Sequence, residues 1–145
     1  MSYTTDLVEG LAELLAEQGI GVYGPPDEPY PSDGRTVIVI GFMPAVPDPV
    51  ICLTPYPVED TGSTDAITAV QVRMRAGRDP REVYALADAV LDLLHGRESF
   101  RLRGVPVALM WRQSEAQLGL DGNGRMEMSA NYYARTTRAT PNAYE

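Results

Sequence analysis

The chain contains no lysine, and in 145 residues it has one cysteine, one histidine, one tryptophan and two phenylalanines. Each scarcity removes a class of chemistry. Without lysine there is no Walker-type phosphate loop, and Gly19-Ile20-Gly21 lacks the further glycine spacing and following helix of a dinucleotide cradle. Cys52 alone forms no intrachain disulfide and, beside the single His95, no cysteine or histidine zinc cluster. His95 has no serine or cysteine nucleophile in a recognised motif near it, so a histidine-based triad has no support. No apolar run approaches the ~20 residues of a membrane-spanning helix. The opening residues, MSYTTDLVEG, have neither the basic start nor the apolar centre of a signal peptide. The expectation is a soluble protein made in a cytoplasm.

What is present is acidic: 12 basic residues, all arginine, against 20 acidic ones, for a net charge of −8. Such a balance does not favour tight binding to phosphate backbones, which needs clustered positive charge. The carboxylate pairs Asp27-Glu28 and Glu59-Asp60 fall in polar loops, where solvation accounts for them. DGNGRMEM starts like a calcium loop with Asp121 and Asn123, but Arg125 stands where a third oxygen ligand belongs and Met126 replaces the required glycine. Its Asp-Gly and Asn-Gly steps favour a hairpin turn instead. With 44% hydrophobic residues over a length typical of one domain, a single domain spanning 1–145 is expected.

Leu7, Val8, Leu11, Leu14 and Leu15 recur at helical spacing, which predicts a helix over about 5–18, capped by Thr4 or Thr5 and ended by Gly19. Prolines at 25, 26, 29 and 31 make the next stretch a loop. TVIVIGF (36–42) reads as a strand buried on both faces, and Cys52 as a small buried apolar residue. A second proline-punctuated region, 43–65, is expected to be a long irregular excursion in which only 50–54 forms a strand.

In AITAVQVRMRAGRDPRE, Val70, Val72 and Met74 share one face of a strand, with Gln71, Arg73 and Arg75 on the other. Gly77 breaks this strand, and Asp79, Pro80 and Glu82 mark a helix start with a capping box. The stripe Val83, Leu86, Ala87, Val90, Leu93 and Leu94 carries that helix to His95-Gly96. A short strand, a turn near Gly104, a strand through Val105, Val107, Leu109 and Trp111, a turn at 121–124 and a long strand from Arg125 to about Arg138 follow. The last residues, 139–145, read as a loose tail. The fold class is α+β, with two layers: a mostly antiparallel or mixed sheet covered on one face by two helices. Arg73, Arg75, Arg78 and Arg81 form the densest positive cluster. On the residues alone, a solvated face with salt bridges, a subunit interface and a nucleic-acid contact all stay open for it.

Element by element, the chain resembles the tail-terminator and head-tail joining proteins of long-tailed, non-contractile bacteriophages, a group that includes minor capsid proteins. The likeness rests on the first helix, VIVIGF with the excursion ending TPYPVED, AVQVRMRAGRDPREVYALADAVLDLLHG, RLRGVPV, and LGLDGNGRMEMSANYYAR. It covers roughly residues 5–138. The resemblance implies a structural virion protein without cofactor or enzymatic activity. It implies a homo-oligomeric ring, commonly six-fold, that caps the tail tube at its head-proximal end and joins it to a head-side connector or stopper. DNA would pass through the bore without sequence readout. Arg73, Arg75, Arg78, Arg81, Asp121, Asn123 and Arg125, with the 43–65 loop, become candidates for a subunit interface or bore lining. A head-side adaptor ring is the alternative assembly role, and a small enzyme or ligand-binding domain the alternative of another class.

Overall fold

The computed structural model describes residues 2–24 and 28–143. The first helix, α1 (Tyr3–Glu17), starts two residues earlier than the threonines suggest, because Ser2 is its N-cap and accepts from the Thr5 N–H. At the other end Gly19 takes φ +77°, its N–H reaching Ala16 and that of Ile20 reaching Leu15. This pair of bonds is a Schellman closure. Tyr3 fixes the helix start to the sheet, its hydroxyl lying 2.7 Å from Thr68 Oγ1 and 2.6 Å from Thr136 Oγ1.

The strands are β1 (Val37–Ile40), β2 (Val50–Asp60), β3 (Asp65–Arg75), β4 (Arg97–Leu102), β5 (Val105–Leu120) and β6 (Met126–Thr137), with α2 (Pro80–Leu94) between β3 and β4. They form one mixed sheet in the order β1-β2-β3-β6-β5-β4, in which only β1 and β2 are parallel. Both helices cover the same face. Leu7, Leu11 and Leu15 of α1 and Val83, Ala87, Val90 and Leu94 of α2 join Ile51, Leu53, Val70, Val72, Met74, Met110 and Tyr132 in the main core. Close approach is built in at Gly10, where a Cβ would come within 2.7 Å of the Leu102 backbone.

Among the described residues no helix covers the other face of the sheet. At its β1–β2 side a small second cluster of Val37, Val39, Val50 and Cys52 lies under Met43, and burial raises the Cys52 thiol's pKa. This matches the reading of β1 and Cys52 as buried. Farther along the same face, Tyr56 donates to Asn131 at 2.8 Å and Asn131 to Ser114 at 3.0 Å, while Trp111 meets the Tyr133 ring edge-on.

The expected long irregular stretch 43–65 is not there. Residues 41–49 are irregular, but β2 then runs eleven residues through Pro55 and Pro57 into a short turn before β3. The prolines fit because of where they point. The Leu53 carbonyl accepts from Gly41 on the β1 side, so in a two-residue repeat Pro55 and Pro57 also face outward, where no ladder N–H is needed. A second difference lies in β5, whose register shifts between Val107 and Leu109, Arg112 and Ser114, and Gln117 and Gly119. These bulges end simple alternation, so Val107 is buried while Leu109 and Trp111 are only half-buried.

Asp79 caps α2 as read, accepting from the Arg81 N–H, but Glu82 does not close the box onto it. Its carboxylate instead lies over Gly77, which has φ +52° and no Cβ to obstruct it. His95 is the α2 C-cap, with Nδ1 accepting the Arg112 N–H. Residues 28–35 form no helix or strand, and neither do 138–143; Pro25–Asp27 of the first proline loop and residues 144–145 of the tail lie outside the described residues.

Candidate assembly surface

Arg75 is the last residue of β3 and pairs across the ladder with Val50 and Glu127. Its side chain is 4% exposed, so it belongs to no solvated or partner-facing surface of this fold, which corrects the expectation of an outward arginine. The 41–49 segment folds back over it. Nε donates to Asp48 Oδ1 at 3.0 Å, one terminal nitrogen to the Pro44 carbonyl at 2.8 Å and the other to the Pro47 carbonyl at 2.7 Å. Asp48 also accepts the Gly77 N–H at 2.8 Å through its second oxygen. A proline-rich segment offers many carbonyls and few N–H groups, and a buried guanidinium with its fork of donors satisfies them.

Arg73 lies on the helix-free face and is the half-exposed member of an ion pair with buried Glu127 at 2.6 Å. Arg81 points into solvent, its side chain 86% exposed and paired with Asp79 in the helix cap. Arg78, exposed, leans its guanidinium against Gly124 in the β5–β6 turn. In that turn Asp121 accepts from the N–H groups of Asn123 (2.9 Å) and Arg125 (2.8 Å) and pairs with the Arg125 side chain. The Arg125 backbone bond is the main reason its carboxyl titrates below the usual aspartate range. Arg125 also donates to the Ala45 carbonyl, so turn and loop are tied together.

The structure thus gathers Arg75, Arg78, Asp121, Asn123 and Arg125 at one end of the sheet, with Arg73 two residues back along β3 and Arg81 turned away. Sequence reasoning missed the apolar residues at this end. Val46 is 75% exposed on the loop, and Leu118 and Leu120 are 49% and 53% exposed at the end of β5; Phe42, 71% exposed, stands where the loop leaves β1. Val46 follows the Ala45 carbonyl that Arg125 holds, and Leu120 precedes Asp121. The available signal was the pattern Leu-Gly-Leu beside a turn, and an apolar residue amid three prolines. Exposed apolar groups on a braced frame suit contact with another protein. Among the described residues no group of three or more metal-ligating side chains comes together.

The sequence matches the family model of the bacteriophage tail terminator protein over residues 14–138. The chain belongs to the bacteriophage tail terminator family. Tail terminators are structural proteins, so this one's chemistry lies in its surfaces and not in an active site. A search of solved structures finds the same fold in a chain of the virion of a native gene transfer agent particle. That chain is 17% identical, with a TM-score of 0.59 over 94% of this terminator and 95% of the other chain. Comparison with curated proteins gives no match.

Proposed function

We propose that the chain assembles as a ring, six-fold as in the resemblance read from its sequence, at the head-proximal end of a non-contractile phage tail. There it stops tube growth and provides the surface on which the head-side connector or stopper docks. The family match over residues 14–138 carries this reading. The mechanism is one of surfaces: one side of the ring copies the tube subunit's contact and the other lacks it, so addition ends. DNA passes through the bore without base readout, which the net charge of −8 favours over a clamp. Ring closure requires that one patch of each copy meet a different patch of the next. The end carrying Val46, Leu118, Leu120 and Arg78 supplies one such patch.

The test is electron microscopy of the purified chain mixed with tail-tube protein. The expected outcome is rings seated on one end of tubes of defined length. Binding only to portal or capsid vertices would transfer the chain to the head-side adaptor role.

A further inference from the structure

The borders of the sheet are treated unequally. Beyond Leu53, β2 has no neighbour on its outer side, and Pro55 and Pro57 remove the N–H groups there. The outer strand β4 is broken by Ser99 at φ +51°, carries Arg97, Glu98 and Arg101, and is crossed by α1 at Gly10. The four residues of β1 are capped at one end by Val22, which exchanges bonds with Thr36 and Ile38. The distal part of β5 has fewer protections, namely Glu115 and the bulges at Arg112/Ser114 and Gln117/Gly119. From 113 to 120 it pairs only with β6, contains no proline and ends in the exposed Leu118 and Leu120. Native edges are normally blunted against such exposure unless they are used.

A counterpart exists on the opposite side of the sheet. Between α1 and β1 lies a groove of about 610 Å³ lined mainly by apolar groups, among them Val8, Tyr23, Tyr30, Ile38, Ile40 and Phe42. Because β1 and β5 are four strand spacings apart, ridge and groove sit roughly 19 Å from each other. They are different patches, as a ring contact demands. Their charges also correspond. Arg78 beside the ridge and Glu28 on the groove rim each lack an ion-pair partner among the described residues.

We propose that the Leu118–Leu120 end of β5 in one copy seats in the α1/β1 groove of the next copy, with Arg78 facing Glu28. This contact rests on the ring reading above and gives it an orientation: successive copies are joined from one side of the sheet to the other.

Two variants of the full chain test it, a ridge variant with Leu118→Asp and Leu120→Asp and a groove variant with Phe42→Asp. All three positions are about half exposed or more, and thermal melting checks that the fold survives. Should the ridge variant melt early, Leu118→Ser with Leu120→Ser takes its place. Light scattering on the wild-type chain is expected to show rings, and each variant alone monomers. An equal mixture of the two should give one-to-one dimers, because one intact ridge and one intact groove remain. Rings formed by either variant, or a mixture that stays monomeric, would overturn this contact while leaving the ring intact. A wild-type chain that stays monomeric at high concentration would overturn the ring reading and the contact with it.

Discussion

Arg75 shows how much one side chain decides at the end of the sheet proposed for assembly. Its guanidinium is almost wholly enclosed and holds Asp48 and the carbonyls of Pro44 and Pro47 in one plane of donors. Removing it leaves those carbonyls and a partly buried carboxylate without their cation. Arg75→Ala is therefore expected to cost about 3–5 kcal/mol, the range for breaking a buried pair by deleting one partner. Arg75→Lys recovers only part of this, since an ammonium cannot span the same fork. Arg73→Ala leaves the buried Glu127 carboxylate without its cation but opens a half-exposed position that water can enter, so it should cost less, about 1–3 kcal/mol. Urea unfolding of the three variants checks the order. Equal losses for Arg73→Ala and Arg75→Ala would mean that the loop is not held by Arg75. The opposite fates of these two arginines also exclude a shared role, although they lie on the same strand face.

At the level of elements, the prolines of β2 are the informative feature. Pro55 and Pro57 occupy the outward side of a strand whose later half has only one neighbour, so the ladder to β3 stays complete while the free edge loses donors. Replacing both with threonine should leave the melting temperature within a few degrees, because no folded contact is lost, yet promote concentration-dependent self-association. Sedimentation over a concentration series reads this, and an unchanged monomer–ring distribution would contradict it. The same strand marks the limit of what the sequence discloses. Both helices, the Gly19 closure, the Asp79 cap, the Gly104 and 121–124 turns and β6 were legible because periodicity and capping are local. The length of β2 was not, since two prolines read as breakers until the pairing with β1 shows which way they face. The burial of Arg75 was equally invisible, because alternation gives a sheet face but not the loop that folds over it. The candidate site was expected as a set of polar and charged residues, Arg78, Asp121, Asn123 and Arg125, which the structure does bring to one end of the sheet, whereas its apolar members depend on which ends the topology brings together.

For the whole molecule, the distribution of arginine bears on what the ring would do to DNA. Among the described residues, Arg35, Arg73, Arg75, Arg81, Arg103, Arg112 and Arg125, seven of the twelve arginines, are in ion pairs with the chain's own carboxylates. Of the others, Arg97, Arg135 and Arg138 lie over the rings of Phe100, Trp111 and Tyr3. The positive charge is thus neutralised in place or dispersed, and the chain as a whole stays at −8. Affinity for duplex DNA grows with the number of phosphates neutralised, about 0.9 counterions being released for each. A surface with so few free cations should show no saturable binding to labelled duplex in 150 mM salt, about the ionic strength at which the Debye length falls to 8 Å. Fluorescence anisotropy on the assembled protein provides the measurement. Binding in the micromolar range or tighter, with a steep loss on added salt, would show that the arginines converge on assembly into a nucleic-acid surface. Flat anisotropy would leave them the role that their pairing already indicates, bracing loop, turn and cap, which under the proposed contact holds the apolar ends in a fixed shape.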